Sequence, residues 1–155
     1  MATTHWLDDE EQATWRKFLR LESVLQRRLA QQLQRDSGLS DADFQVLVDL
    51  SEAPEGRLRA FELGEELQWE KSRLSHHLTR MQKRGLISRE ECETDARGAF
   101  VVISADGRAA IEAAAPLHVA EVRALFIDVL GPEHISALDR ICDTVLAVLD
   151  EPDRR

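Results

Sequence analysis

The sequence predicts a mainly α-helical protein interrupted once, near its centre, by a β-hairpin. Three observations carry this. Apolar residues recur at helical spacing over most of the 155 residues, and between Leu86 and Ile103 they shorten into two strand-like runs. The 7 Gly and 4 Pro are few and stand mostly at joints: Gly38, Pro54-Glu55-Gly56, Gly85, Gly98, Gly107 and Gly131-Pro132. Hydrophobic residues make up 43% and charged residues 32%, enough to bury a core in one domain without disulfides.

The elements follow in order. Residues 11–35 carry Trp15, Phe18, Leu19, Leu25, Leu29 and Leu33 near helical spacing, which predicts a long amphipathic helix. Ser40 followed by Asp43 is a start signal for a second helix, with Phe44, Leu47, Val48 and Leu50 as its apolar positions. After the turn at Pro54-Glu55-Gly56, residues 60–67 and 71–84 predict two short helices. The latter has one narrow apolar stripe, Leu74, Leu78 and Met81, and is otherwise polar; Gly85 ends it with a left-handed cap. Leu86 to Arg89 and Ala99 to Ile103 predict paired strands around the turn residues 93–98. Residues 104–106 open a long helix reaching toward Leu130, with a bend expected at Pro116, and Gly131-Pro132-Glu133 restarts a final helix containing Ile141, Val145, Leu146 and Leu149.

Charge locates the function. With 20 Lys+Arg against 29 Asp+Glu the chain has a net charge of −9, which by itself disfavours a polyanion partner. Residues 68–89 run the other way: Lys71, Arg73, Arg80, Lys83, Arg84 and Arg89 oppose only Glu70. A local field decides where a polyanion docks. Helix, turn, polar-faced helix, glycine stop and hairpin are the parts of a winged helix-turn-helix. The polar face fits the ~12 Å wide major groove. In this reading Ser72, Arg73, His76 and His77 read base edges, while Lys71, Ser75, Arg80 and Lys83 hold phosphates and Arg84 approaches them. At the hairpin tip Arg97 enters a minor groove, with Asp95 fixing it or a neighbouring base.

These segments resemble the multiple-antibiotic-resistance regulator (MarR) family of bacterial transcription factors. The resemblance rests on Glu62-Leu63-Gly64-Glu65-Glu66-Leu67, Lys71-Ser72-Arg73-Leu74-Ser75, Met81-Gln82-Lys83-Arg84-Gly85-Leu86-Ile87, Asp95-Ala96-Arg97-Gly98 and Ser104-Ala105-Asp106-Gly107. The family usually has Ala where Gly64 stands, and Leu-Thr in place of Ile103-Ser104. Membership implies one domain over 1–155, with a winged helix-turn-helix lobe at 39–104 and a helical dimerisation lobe from 6–36 and 105–150. It also implies a homodimer joined through the first and last helices, binding an imperfect inverted repeat in double-stranded DNA. The apolar surplus on both helices agrees with that. A small-molecule effector between the lobes would release the DNA, making the protein a ligand-responsive repressor. Trp15 reads first as packing in the twofold core; with Arg16 it is the candidate for lining the effector cleft.

Other chemistries are weaker. His76 and His77 are about 100° apart on a helix and do not share one metal, and His118 with Glu121 lacks a third ligand. Cys92 and Cys142 are in no ligand-like spacing; the peroxide-sensing branch of the family carries its cysteine on the first helix, where this chain has none. No nucleophile elbow, phosphate loop or paired carboxylate motif is present, so no enzyme activity, cofactor or metal is expected. Trp69 reads as core packing. The acidic opening residues and the five-residue limit on apolar runs predict a cytoplasmic protein without a membrane partner. The alternative is a winged-helix module that binds protein and not DNA.

Overall fold

The computed structural model describes residues 4–91 and 98–150. Two compact units divide the chain, Met1–His118 and Val119–Arg155. In the first, α1 (Asp9–Ser37) begins at a capping box: the Asp8 carboxylate accepts from Glu11 N at 2.8 Å, and Glu11 accepts from Asp8 N at 2.9 Å. A second capping box opens α2 (Asp41–Glu52), where the Ser40 hydroxyl accepts from Asp43 N and the Asp43 carboxylate from Ser40 N. Residues 54–56 form one 3₁₀ turn, followed by β1 (Arg57–Arg59), α3 (Ala60–Leu67) and α4 (Lys71–Lys83). Strands β2 (Ile87–Glu90) and β3 (Phe100–Ile103) come next, then α5 (Ala105–Val122).

The predicted hairpin is present and gains a third strand. Sheet order is β1-β3-β2, all antiparallel, with Ile87 opposite Ile103, Glu90 opposite Phe100 and Arg57 opposite Val102. Arg57 and Arg59 on β1 both lie over the Phe100 ring, their guanidinium carbons 4.9 and 4.5 Å from its centroid. One core unites the elements: Val46, Leu47 and Leu50 from α2, Leu63 from α3, Leu74, Leu78 and Met81 from α4, Ile87 and Val101 from the sheet, and Ile111 from α5. Each such side chain contributes about 1.5–3 kcal/mol by leaving water.

The junction between α4, β2 and α5 is set by backbone closeness. Gly85 takes φ 76°, a left-handed conformation that stops α4. Ser104 then ties the joint together, its hydroxyl donating to the Gly85 carbonyl at 2.6 Å and accepting from Gly107 N at 2.9 Å. Gly107 is held against the chain so closely that a Cβ there would lie 2.1 Å from the Leu86 carbonyl oxygen. This accounts for the Ser104-to-Gly107 motif.

In the second unit α5 passes into a π-helical stretch at Arg123–Ile127, and α6 (Asp128–Leu149) follows. Gly131 interrupts it at φ 71°, ψ 170°, as the Gly131-Pro132 signal predicts. Pro116 does not end α5; the departure from α geometry comes later, at the π stretch. None of the α6 side chains is buried within the chain. Among the described residues, no helix is long and apolar enough to cross a membrane.

Candidate nucleic-acid interface

The site is built on α4. Leu74, His77, Leu78 and Met81 are its buried residues, spaced i, i+3, i+4 and i+7. At about 100° per residue, that inward stripe turns Ser72, His76, Thr79 and Lys83 to the opposite side and Arg73 and Arg80 to one flank. All six are exposed, as are Lys71 and Ser75. The positive charge of this segment therefore stands on a solvent-facing surface.

His77 is the correction. A polar side chain in this segment is expected on the base-reading face, but His77 is only 6% exposed. Three residues after Leu74, it completes the inward stripe and cannot reach a base. Arg80 Nη2 lies 3.0 Å from its Nδ1. A guanidinium only donates, so Nδ1 accepts and the ring proton sits on Nε2. That nitrogen is 3.1 Å from Oδ1 of Asp43, off the line of a well-formed hydrogen bond, so the contact is an ion–dipole one. Burial pushes the His77 pKa below the usual 6.5, with Arg80 and Arg84 adding to the fall and Asp43 opposing it.

Asp43 is the residue that sequence reasoning missed. In the sequence it marks only a helix cap, yet its side chain is 2% exposed and joins α2 to α4. One oxygen accepts from Ser40 N at 2.9 Å and from Arg84 Nη1 at 2.8 Å; the other faces His77. Burial alone would raise its pKa, but the Ser40 N–H and the Arg84 guanidinium outweigh that and hold the carboxyl below its ordinary value. Arg84, expected among the phosphate-facing bases, is thus committed to fastening the end of α4 onto α2. No local signal marks a pair 41 residues apart in sequence.

Two further contacts shape the surface. The Arg73 guanidinium lies 4.2 Å from the centroid of Trp69, whose ring meets His77 edge-on at 5.5 Å. Trp69 therefore packs, as expected, and also supports a candidate base-reading arginine. From β2, Arg89 donates to the Ser75 carbonyl at 3.0 Å and to Thr79 Oγ1 at 3.4 Å, bringing another cation beside α4.

The remaining candidates lie elsewhere. Trp15 is 51% exposed and stacks on Phe18 at 5.7 Å; with Leu7, Glu10, Glu11 and Thr14 it lines a shallow cleft that Arg16 does not line. His118 Nδ1 is 3.1 Å from Gln32 Oε1, and its ring packs on Phe44 at 4.5 Å. Among the described residues, no three His, Cys, Asp or Glu side chains are grouped to hold a metal. Cys142 is exposed; Cys92, Asp95 and Arg97 lie outside the described residues.

Comparison with known proteins agrees with this geometry. A family model described as MarR family matches residues 37–98. The chain is similar to AbsC, a MarR family transcriptional regulator from Streptomyces coelicolor, at 40% identity and a TM-score of 0.90, covering 96% of this chain and 100% of that one. It is also similar to Sco3205, a MarR family transcriptional regulator from the same organism whose structure is in complex with DNA. There the identity is 37% and the TM-score 0.91, with 98% of this chain and 95% of that one covered. Among curated proteins no sequence match is found. Identity at this level over nearly the full length of both chains, on the same winged helical fold, means that the protein belongs to the MarR family of transcriptional regulators.

Proposed function

We propose that the chain is a sequence-specific DNA-binding regulator that acts as a homodimer on an imperfect inverted repeat and represses until a small molecule releases it. The outward face of α4 carries the reading: a solvent-facing row of short donors and bases, anchored by a buried stripe, in an otherwise acidic protein. Ser72, Arg73 and His76 would read base edges, and Lys71, Ser75, Arg80 and Lys83 would hold phosphates. That the structure of Sco3205, 37% identical, is in complex with DNA supports a DNA-binding role. Asp95 and Arg97 keep their proposed minor-groove role.

Pairing into a dimer is supported by apolar surface the single chain leaves open. On α1, Trp15, Phe18, Leu19 and Val24 are exposed; on α6, so are Ile141, Val145, Leu146 and Leu149. Such stripes call for a partner, and a twofold axis supplies one. Residues 6–36 and 105–150 would form that dimerisation lobe and 39–104 the DNA-binding lobe, with Trp15 and Arg16 near an effector. A cytoplasmic location fits a DNA-binding role.

Titration into labelled duplex from the intergenic region beside its own gene, and into scrambled duplex, tests this. Affinity should favour the genomic duplex and fall steeply as salt rises, because each phosphate contact releases counterions. Equal binding to both duplexes, or none to either, would overturn the proposal; a protein-interaction module gives the second result.

A further inference from the structure

We propose that buried His77 is a positioning residue: its unprotonated Nδ1 holds the Arg80 guanidinium in the pose that meets the DNA backbone. The inference rests on the DNA-binding reading above and adds a residue that never touches DNA.

Three geometric facts lead to it. Arg80 is exposed on the flank of α4, and a free arginine side chain there would sample many rotamers. Its Nη2 is instead 3.0 Å from His77 Nδ1, one helical turn earlier. Second, Nδ1 can accept only while the ring carries a single proton on Nε2, and the Asp43 carboxylate faces that nitrogen at 3.1 Å. Asp43 selects the tautomer that Arg80 requires. Third, the ring is fixed in place: Trp69 meets it edge-on at 5.5 Å, and the Asp43 that faces it is tied to Ser40 and Arg84. The charged groups around the imidazole are Asp43 from α2, Arg80 from α4 and Arg84 at the C-cap of α4. A second proton on the ring would put an N–H against Arg80 and expel it.

A long side chain held in advance loses less freedom when it binds. Arg80 leaves the remaining donors of its guanidinium for a phosphate while one is anchored on the protein. The neighbouring Lys83 has no such tether among the described contacts, so the two bases should behave differently when His77 is changed.

The test has two arms. In free native protein, long-range ¹⁵N spectra of His77 should show a protonated Nε2 and an unprotonated Nδ1, and Arg80→Ala should shift the Nδ1 resonance. A proton on Nδ1, or an Nδ1 resonance indifferent to Arg80→Ala, overturns the proposal without reference to DNA. The second arm is a cycle on the operator duplex. His77→Leu should weaken binding by about twofold to tenfold, the ordering cost of one long side chain. Adding it to Arg80→Ala should weaken binding no further. His77→Asn, whose carbonyl oxygen can accept in place of Nδ1, should bind within about twofold of native. Losses that multiply in the double variant, or a His77→Leu protein that melts like native and binds as tightly, overturn the proposal. A native protein that binds no duplex overturns the DNA-binding reading, and the spectra still decide whether His77 holds Arg80.

Discussion

Asp43→Asn keeps the shape of the side chain that fastens α4 to α2 and removes its charge. In the native protein one carboxylate oxygen receives the Ser40 N–H and Arg84, and the other faces the N–H of His77. An amide has only one acceptor. Turned one way its NH₂ meets His77 Nε2–H, and turned the other way it meets the Ser40 N–H and Arg84. Either pose sets two buried donors against each other where the carboxylate had attracted both, costing about 1–3 kcal/mol. The lost ion pair with Arg84, whose side chain is 45% exposed, adds at most about 1 kcal/mol after solvent screening. We expect a total loss of about 3 kcal/mol, equivalent to a fall in Tm of roughly 6–12 °C for a chain of this length. Denaturant melts of native and variant at one protein concentration give the number. A difference under about 0.5 kcal/mol would refute the role assigned to Asp43.

The same hub fixes the sign of a pH dependence. Asp43 is held below its ordinary 3.8, so its contribution is complete above that value and is lost as pH falls through the lower folded one. His77 is held neutral below its ordinary 6.5: on acidification the unfolded ring takes up a proton before the folded ring does. Stability should therefore decline as pH drops below about 6.5. His118, also lowered by burial, contributes in the same window, so His77→Asn should make the decline shallower without abolishing it. An unchanged slope between about pH 6.5 and 5 would contradict the assignment to His77.

Further outcomes follow from close contacts and exposed charges. Gly107→Ala forces a Cβ to within 2.1 Å of the Leu86 carbonyl oxygen, a backbone atom that cannot swing aside. It should cost more than about 3 kcal/mol; native-like melting would show that the joint is looser than described. Gly64→Ala meets only ordinary contacts, 3.4 Å from Leu74 and 3.6 Å from Trp69, and should stabilise α3 by about 0.5–1 kcal/mol in the same assay. On DNA, Arg73→Ala should relax base preference by about 1–3 kcal/mol, whereas Lys83→Ala should weaken all sequences alike and lower the salt slope by about 1. Equal losses on operator and random duplex for Arg73→Ala would remove it from the base-reading set.

Much of this was legible in the chain because the signals are local. Ser40 and Asp43 announce the cap of α2, Gly85 stops α4, and the bounds of α3 are those that spacing predicts. What escaped depends on partners far away. Strand β1 is three residues with one apolar side chain, and it exists because β3 pairs with it. His77 was misplaced by residue type, although its position three after Leu74 already set it on the inner stripe. Arg84 is exposed, but its bond to Asp43 escapes a local reading because the partner on α2 is a fold-level contact. The π stretch at 123–127 has no turn residue to mark it, and α5 runs through Pro116 before reaching it.

On the proposed reading two copies of α4 enter DNA together. Hydroxyl-radical and methylation footprinting of the native protein on the genomic duplex decides this. Two protected windows of major-groove contacts, related by a dyad and about one helical turn or ~34 Å apart, are the predicted result. A single window without a symmetry mate, or protection unchanged when Ser72, Arg73 and His76 are replaced together by Ala, would contradict it.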